Sequence, residues 1–318
     1  MIQYPTIDII LATYNGERFL RAQVQSILNQ TYPHWRLIMR DDNSTDRTPD
    51  IIRGYIEKYP DKMEEIVDSG TNIGVCRNFA KLLERSTADY TMFCDQDDIW
   101  MPMKIALTLK KMLTMEGANG KDVPLLVYTD MKVVDDNLSV VADSFWRNQA
   151  FNPEIGKSLN RFLVSNVATG CTVMINKRLR ILSLPIPREA LMHDWWVGLL
   201  SAALGKNAYL SDATVLYRQH DANVVGAKWD VSIKTIFKKM LNFNKLKNIN
   251  RDHLMKTQQQ AAIFASRYEK LLSPGDYEKI MVYTKLNTMS FTRKRFNIIR
   301  YGFWWAGFIR SAVMFMII

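Results

Sequence analysis

Three carboxylates crowd into four residues at Asp95-Gln96-Asp97-Asp98. At that spacing like charges raise one another's pKa unless a cation is shared between them. A divalent metal with hard oxygen ligands is such a cation, and it can hold a diphosphate at the same time. A second candidate is Asp194, in His193-Asp194-Trp195-Trp196. An acid ahead of a helix is by default a cap. Two adjoining tryptophans, however, desolvate this one, raise its pKa and improve it as a base. His220, in Tyr217-Arg218-Gln219-His220, offers an imidazole that could join the metal.

Three further segments carry groups able to hold a nucleotide. Ala12-Thr13-Tyr14-Asn15-Gly16-Glu17 offers backbone groups and a ring for a base. In Arg40-Asp41-Asp42-Asn43-Ser44-Thr45-Asp46, Asp41 could accept from a pyrimidine N3–H while Asp46 caps the next helix. In Asn72-Ile73-Gly74-Val75-Cys76-Arg77-Asn78, Arg77 could reach a diphosphate or the base. Taken singly, each has a plain structural reading as a turn, a cap, a helix start or a solvated loop. Their order along the chain is what argues for a site.

The elements that must position them alternate strand and helix. Ile7–Ala12, Trp35–Met39, Glu65–Asp68, Tyr90–Cys94 and Leu125–Tyr128 are short apolar runs that read as strands. Amphipathic helices are expected over Gly16–Gln30, from the Asp42–Asp46 turn and cap to about Tyr59, over Val75–Glu84 and from Pro102. This order predicts a mostly parallel sheet with helices on both faces, and the acidic cluster then lies at a strand's carboxyl end, where such sheets place their ligand crevice. Beyond Asp135 the alternation loosens. Thr169–Ile175 and Ala213–Tyr217 read as strands, with a helix from about Asp194 to Leu204 between them. There is no nucleophile elbow, Walker loop or Gly-x-Gly-x-x-Gly run, which removes the main supports for hydrolase, kinase and dinucleotide-dehydrogenase readings.

Charge divides the 318 residues sharply: residues 1–227 hold 25 Lys+Arg against 27 Asp+Glu, residues 228–318 hold 17 against 5. A basic tail suggests nucleic acid or an anionic membrane surface. Its aromatics cluster with aliphatic residues and are not interleaved with Lys and Arg, which favours the membrane. Ile233, Ile236, Phe237 and Met240 share one helical face opposite Lys234, Lys238 and Lys245, the pattern of an interfacial helix. The final stretch, residues 301–318, is apolar apart from Arg310 and falls slightly short of the roughly 20 residues of a span. Trp304 and Trp305 suit the headgroup level, so shallow insertion is expected, the alternative being packing on the domain or on a homodimer partner. Cys76, Cys94 and Cys171 form no Cys-x-x-Cys pair, and no basic-then-apolar leader opens the chain; both point to a cytoplasmic protein.

The runs Ile9-Ile-Leu-Ala-Thr-Tyr-Asn15, Ser26-Ile-Leu-Asn-Gln-Thr31, Asp41-Asp-Asn-Ser-Thr-Asp46 and Asp95-Gln-Asp-Asp98 together resemble family 2 inverting glycosyltransferases of GT-A fold, over roughly residues 5–225. His193-Asp-Trp-Trp196 and the 217–225 run look most like the branch that transfers rhamnose from dTDP-rhamnose in bacterial surface-polysaccharide assembly. The resemblance implies an α/β GT-A domain over 1–226, with a nucleotide-binding half (1–100) and an acceptor-binding half (101–226). A helical, membrane-associating appendage would follow over 227–318. It implies that Ala12, Thr13, Tyr14, Glu17, Asp41, Arg77 and Gln96 hold the nucleotide. Asp95 would lie on the ribose or metal side, Asp97 would ligate Mg²⁺ or Mn²⁺ with His220 beside it, and Asp194 would be the catalytic base. The implied partners are a nucleotide-sugar donor, a lipid-linked saccharide acceptor and the inner face of the cell membrane, with no nucleic acid. The processive members' Gln-x-x-Arg-Trp motif is missing, so a single-addition enzyme is expected.

Overall fold

Strand residues of alternating direction build two cores on the two sides of one sheet. In this computed structural model, which describes residues 4–68, 70–220, 243–305 and 315, the strands run β1 Ile7–Thr13, β2 Trp35–Asp41, β3 Met63–Glu65, β4 Tyr90–Cys94 and β5 Ile99–Trp100. They continue as β6 Leu125–Val134, β7 Val140–Ala142, β8 Met174–Asn176 and β9 Lys206–Arg218. The sheet order is β3-β2-β1-β4-β8-β6-β9-β5, with β7 on β6. The first four strands are parallel to one another; β8 enters antiparallel between β4 and β6, while β6 and β9 run parallel. Ile10, Ile38 and Phe93 face one core, and Ile9, Leu11, Leu37, Met39 and Met92 the other, as a two-residue side-chain period requires.

Helices α1 Leu20–Leu28, α2 Thr48–Lys58, α3 Val75–Arg85 and α4 Lys104–Asn119 follow successive strands. The short α5 Phe145–Asn148, α6 Leu159–Val164 and α7 Lys177–Ser183 lead to α8 His193–Leu204, and α9 Phe243–Tyr268, α10 Pro274–Thr284 and α11 Phe291–Tyr301 close the described chain. Several boundaries differ from the periodicity: β6 runs on to Val134, and β9 already begins at Lys206. Helix α1 starts at Leu20 because Phe19 and Leu20 both donate to the carbonyl of Gly16, which folds residues 16–19 into a turn. The third strand lies at 63–65 and not at 65–68, where Asp68 instead accepts from the buried Arg40 guanidinium. Three residues of the expected 169–175 strand, Gly170–Thr172, form a 3₁₀ turn and strand begins only at Met174, because Gly170 gives its N–H to a side chain and not to a neighbouring strand.

The C-terminal helices are part of the domain's own core. Leu254, Phe264, Ile280 and Phe303 belong to the same buried cluster as Phe93, Phe162 and Trp196. Gly302, at φ 66°, ends α11 in the left-handed conformation and turns the chain back. Asn160 Nδ2 donates to the carbonyls of Tyr301 (2.8 Å) and Gly302 (3.0 Å), and Arg161 donates to that of Trp304 (2.6 Å). Phe303 is fully buried against Tyr283, and the Trp305 ring stands edge-on to His253. For residues 303–305, then, packing on the domain replaces the expected headgroup placement of the tryptophans. The expected basic helix from Ile233 and most of the final apolar stretch lie outside the described residues. Among the described residues no helix is long and apolar enough to cross a membrane.

Candidate active site

The carboxyl ends of β1, β2 and β4 meet at one edge of the sheet, and their loops hold one another through side-chain bonds. Thr13 donates its hydroxyl to Asp41 Oδ1 (2.8 Å), which also accepts from the Ser44 hydroxyl, while Oδ2 accepts the Ser44 N–H (2.7 Å). Asn15 sits at φ 49°, a conformation short polar side chains tolerate, and its Oδ1 accepts from the Thr45 N–H. Asp46 takes the Glu17 N–H and the Thr48 N–H from one residue ahead of Arg47, the N-cap of α2, while Glu17 takes the Arg47 N–H. Tyr14, 49% exposed, presents its ring to solvent above this floor. Ala12 lies beside Arg40 in the sheet register.

Gln96 links this floor to the acidic cluster. Its amide exchanges two bonds with the Tyr14 backbone, accepting from N–H and donating to C=O, each at 2.9 Å. A Cβ on Gly16 would lie 2.3 Å from Gln96 Oε1. Gly16→Ala is therefore expected to push the Gln96 amide off Tyr14. On the nucleotide-holding role that the resemblance implies for Gln96, the KM for the nucleotide substrate should rise by several-fold while kcat holds, as for loss of a positioning contact worth about 1 kcal/mol. An unchanged KM would remove Gln96 from the binding floor.

Beyond Gln96 the cluster is held by β9. Strand β5 pairs with β9, Ile99 opposite Leu216, which brings the β9 end under the acidic loop. The Arg218 N–H donates to Asp98 Oδ1 (3.1 Å), its Nε–H to the Asp97 carbonyl (2.9 Å) and its Nη1 to the Asp136 carbonyl (2.7 Å). His220 Nε2 then lies 2.8 Å from Asp97 Oδ2. Asp95, Asp98 and Cys171 offer ligand atoms within 4.8 Å of one another. The partly exposed Asp95 is pushed upward by burial and by the charges of Asp97 and Asp194, and Asp98 lies far above the carboxylate range for the same first reason. Burial also keeps the Cys171 thiol protonated. The accessible donors are carboxylate oxygens and one imidazole, a hard set that fits Mg²⁺ or Mn²⁺ better than a thiophilic metal.

Asp194 opens α8 and is only 6% exposed. Burial raises its pKa to about 6, against the opposing pull of bonds from Asn166 and from the backbone N–H groups of Trp195 and Gly170. Those backbone bonds measure 2.7 Å to Oδ1 and 2.8 Å to Oδ2. Asp194 is close enough to raise Asp95. The acid is also braced from behind. Trp195 Nε1 donates to the Phe162 carbonyl (2.6 Å), His253 Nε2 meets the Val164 carbonyl (3.2 Å), and the Trp195 and His253 rings stack at 5.8 Å. These carbonyls end α6, from which the loop carrying Asn166 and Gly170 departs.

Arg77 lies apart from the acidic cluster, in a cleft of about 300 Å³ between the start of α3 and the loop before α8, where Cys76, Ile186, Arg188 and Met192 join it. Burial and the Asp194 charge push the Cys76 thiol up to about 12, which places the cleft beside the acid. Sequence reasoning assigned no role to Arg218, Asn166, Gly170 or Lys104. The Lys104 ammonium is fully buried under the cluster, 4.8 Å above the Trp100 ring and 3.4 Å from Thr214 Oγ1, and burial lowers its pKa to about 8. Arg218 adjoins His220 in a quoted motif and could have been found there; the other three act only through the fold.

A profile for Glycosyl transferase family 2 matches residues 8–174, which span the floor, the acidic cluster and Gly170. The chain belongs to that family. It is 27% identical over 258 residues to TuaG of Bacillus subtilis, a glycosyltransferase whose name assigns it to teichuronic acid biosynthesis, covering 79% of this chain and 91% of that one. It is 26% identical over 241 residues to the dTDP-rhamnosyl transferase RfbG of Shigella flexneri, covering 72% and 78%. Among solved structures, S. aureus TarS 1–349 with UDP-GlcNAc superposes with a TM-score of 0.56 at 15% identity, over 93% of this chain and 79% of that one. The Pyrobaculum calidifontis mannosyltransferase PcManGT with GDP-Man and Mn²⁺ gives 0.51 at 15% identity, over 99% and 88%. At that identity the likeness is one of fold, and the fold is GT-A. The protein is a glycosyltransferase of family 2, as its opening motifs led us to expect.

Proposed function

We propose that the chain moves L-rhamnose from dTDP-rhamnose, with inversion, onto a lipid-linked glycan in bacterial surface-polysaccharide synthesis, at the inner face of the membrane. The observation that carries the reading is Asp194: a buried acid, its pKa raised to about 6, fixed by two backbone N–H groups and close enough to the acidic cluster to act on Asp95. In the proposed assignment Thr13, Tyr14, Asp41 and Gln96 hold the base and ribose, with Ala12 and Glu17 completing the floor. Arg77 reaches the donor from the cleft side. Asp95 and Asp97, with His220, hold the divalent cation, for which the Mn²⁺ of the P. calidifontis enzyme is a parallel. Bound there, such a cation supplies Lewis-acid neutralisation of the leaving diphosphate.

Asp194 takes the proton of the acceptor hydroxyl as that oxygen attacks the anomeric carbon, and a single displacement inverts that centre. Trp195 and His253 keep the loop that carries Asn166 and Gly170 in place, so the acid does not rotate away. The division at residue 226, between catalytic domain and basic C-terminal region, belongs to the same proposal.

The similarity to the S. flexneri dTDP-rhamnosyl transferase favours dTDP-rhamnose. A thermal-shift screen of nucleotide sugars, with and without Mg²⁺, tests it. Stabilisation by dTDP-rhamnose in the presence of Mg²⁺, with release of dTDP on adding acceptor, is the expected result. A shift with a UDP-hexose alone would replace the donor and leave the enzyme class intact.

A further inference from the structure

Helix α11, Phe-Thr-Arg-Lys-Arg-Phe-Asn-Ile-Ile-Arg-Tyr over 291–301, carries four cations and no acid. Its inner side is conventional: Asn297 and Ile298 are buried, and Tyr301 hydrogen-bonds Glu278. The outer side is not. Phe291, Phe296 and Ile299 are 67%, 59% and 60% exposed. At about 100° per residue, Thr292, Phe296 and Ile299 fall on one stripe, with Arg295 along one edge and Arg293 and Arg300 along the other. Arg295 lies over the Phe291 ring, 3.3 Å from its centroid, which keeps that ring beside the stripe. Lys294 falls on the other side of the helix, toward Arg251 of α9, and takes no part in this face.

Single exposed apolar residues need no explanation, but three large ones on one short helix, framed by arginines, mark a contact surface. The charge decides the partner. A second copy meeting this face with its own would bring three arginines against three, with no acid in either helix to offset them. Nucleic acid would call for aromatics set as a stacking platform in a basic groove, and here the rings stand on a convex helix. An anionic bilayer matches both components: phosphates for the arginines and an acyl boundary for the rings.

We propose that the outer face of α11 docks on an anionic lipid surface, with Phe291, Phe296 and Ile299 at the acyl boundary and Arg293, Arg295 and Arg300 on lipid phosphates. For its purpose this rests on the lipid-linked acceptor proposed above; for its chemistry it rests on α11 alone. The test is co-sedimentation of the full chain with vesicles of phosphatidylglycerol and phosphatidylcholine, against phosphatidylcholine alone. Two variants are compared: Phe296→Ser with Ile299→Ser, and Arg293→Gln with Arg295→Gln and Arg300→Gln.

The native chain should bind only the anionic vesicles. The arginine variant should bind about 10²-fold more weakly and the apolar variant about tenfold more weakly. Both should keep the native thermal shift with donor, which shows that fold and active site are intact. Undiminished vesicle binding in either variant overturns the proposal, as does equal binding to phosphatidylcholine. A native dimer that dissociates in the apolar variant, read by light scattering, would assign the face to a second copy instead. If no nucleotide sugar shifts the native chain while the vesicle results come out as expected, the donor reading fails and the lipid surface stands.

Discussion

Asp194→Asn should lower kcat on the order of 10³-fold, the scale of a lost general base. The donor KM should change little, because in the proposed mechanism Asp194 acts on the acceptor hydroxyl and not on the donor. The substitution is nearly isosteric, yet only one amide atom can accept where two backbone N–H groups now donate, from Gly170 and Trp195. The pH profile gives a second readout. A carboxyl raised to about 6 is protonated and incompetent below that value. In the native enzyme kcat/KM should therefore be full above it and fall about tenfold per pH unit as pH drops through it. The residual activity of the variant should lack that limb. Turnover close to native, or an unchanged acid limb, would move the base elsewhere.

Asp97→Ala is expected to remove activity on the order of 10²-fold or more, because the proposed cation site would lose a ligand and with it several kcal/mol of charge stabilisation at the diphosphate. Raising Mn²⁺ should recover little of it. His220→Ala offers the contrast. If His220 mainly orients Asp97, across their 2.8 Å contact, its loss weakens the site without removing a carboxylate, and added metal should restore much of the rate. The two variants are compared by activity against metal concentration and by the Mg²⁺-dependent part of the donor thermal shift. Equal, metal-independent turnover in native and Asp97→Ala chains would take Asp97 out of the cation site.

What the sequence made legible was local. β1, β2 and β4 are short, apolar and bounded by turn residues, so their carboxyl ends, and with them Thr13, Asp41 and Asp95, were placed from the chain alone. Asp194 stood out because two tryptophans follow an acid. What was hidden depends on contacts between distant segments. Gly170 sits in a run that reads as strand, and only its bond to Asp194, 24 residues on, explains why the strand breaks there. Lys104 reads as the first solvated turn of a helix, yet the β5–β9 pairing closes over it and buries it completely. In the C-terminal region, charge outvoted pattern. The excess of Lys and Arg pointed to an appendage, while Leu254, Phe264, Tyr283 and Phe303 were filling the core beneath Trp196. Apolar periodicity says that a helix face is covered; it does not name the cover.

The bonds from Asn160 and Arg161 to the chain just past α11 have a practical meaning. They fasten the chain just past α11 to α6, whose far end holds the loop that grips Asp194. A chain shortened to its sheet and first eight helices would lose one wall of its interior, baring Phe162 and Trp196 to water. It would also lose the bracing of Asp194. The C-terminal helices and the sheet are not separable parts joined by a tether. A protease cutting between α8 and α11 would release pieces of a single machine, and neither piece would be expected to work alone.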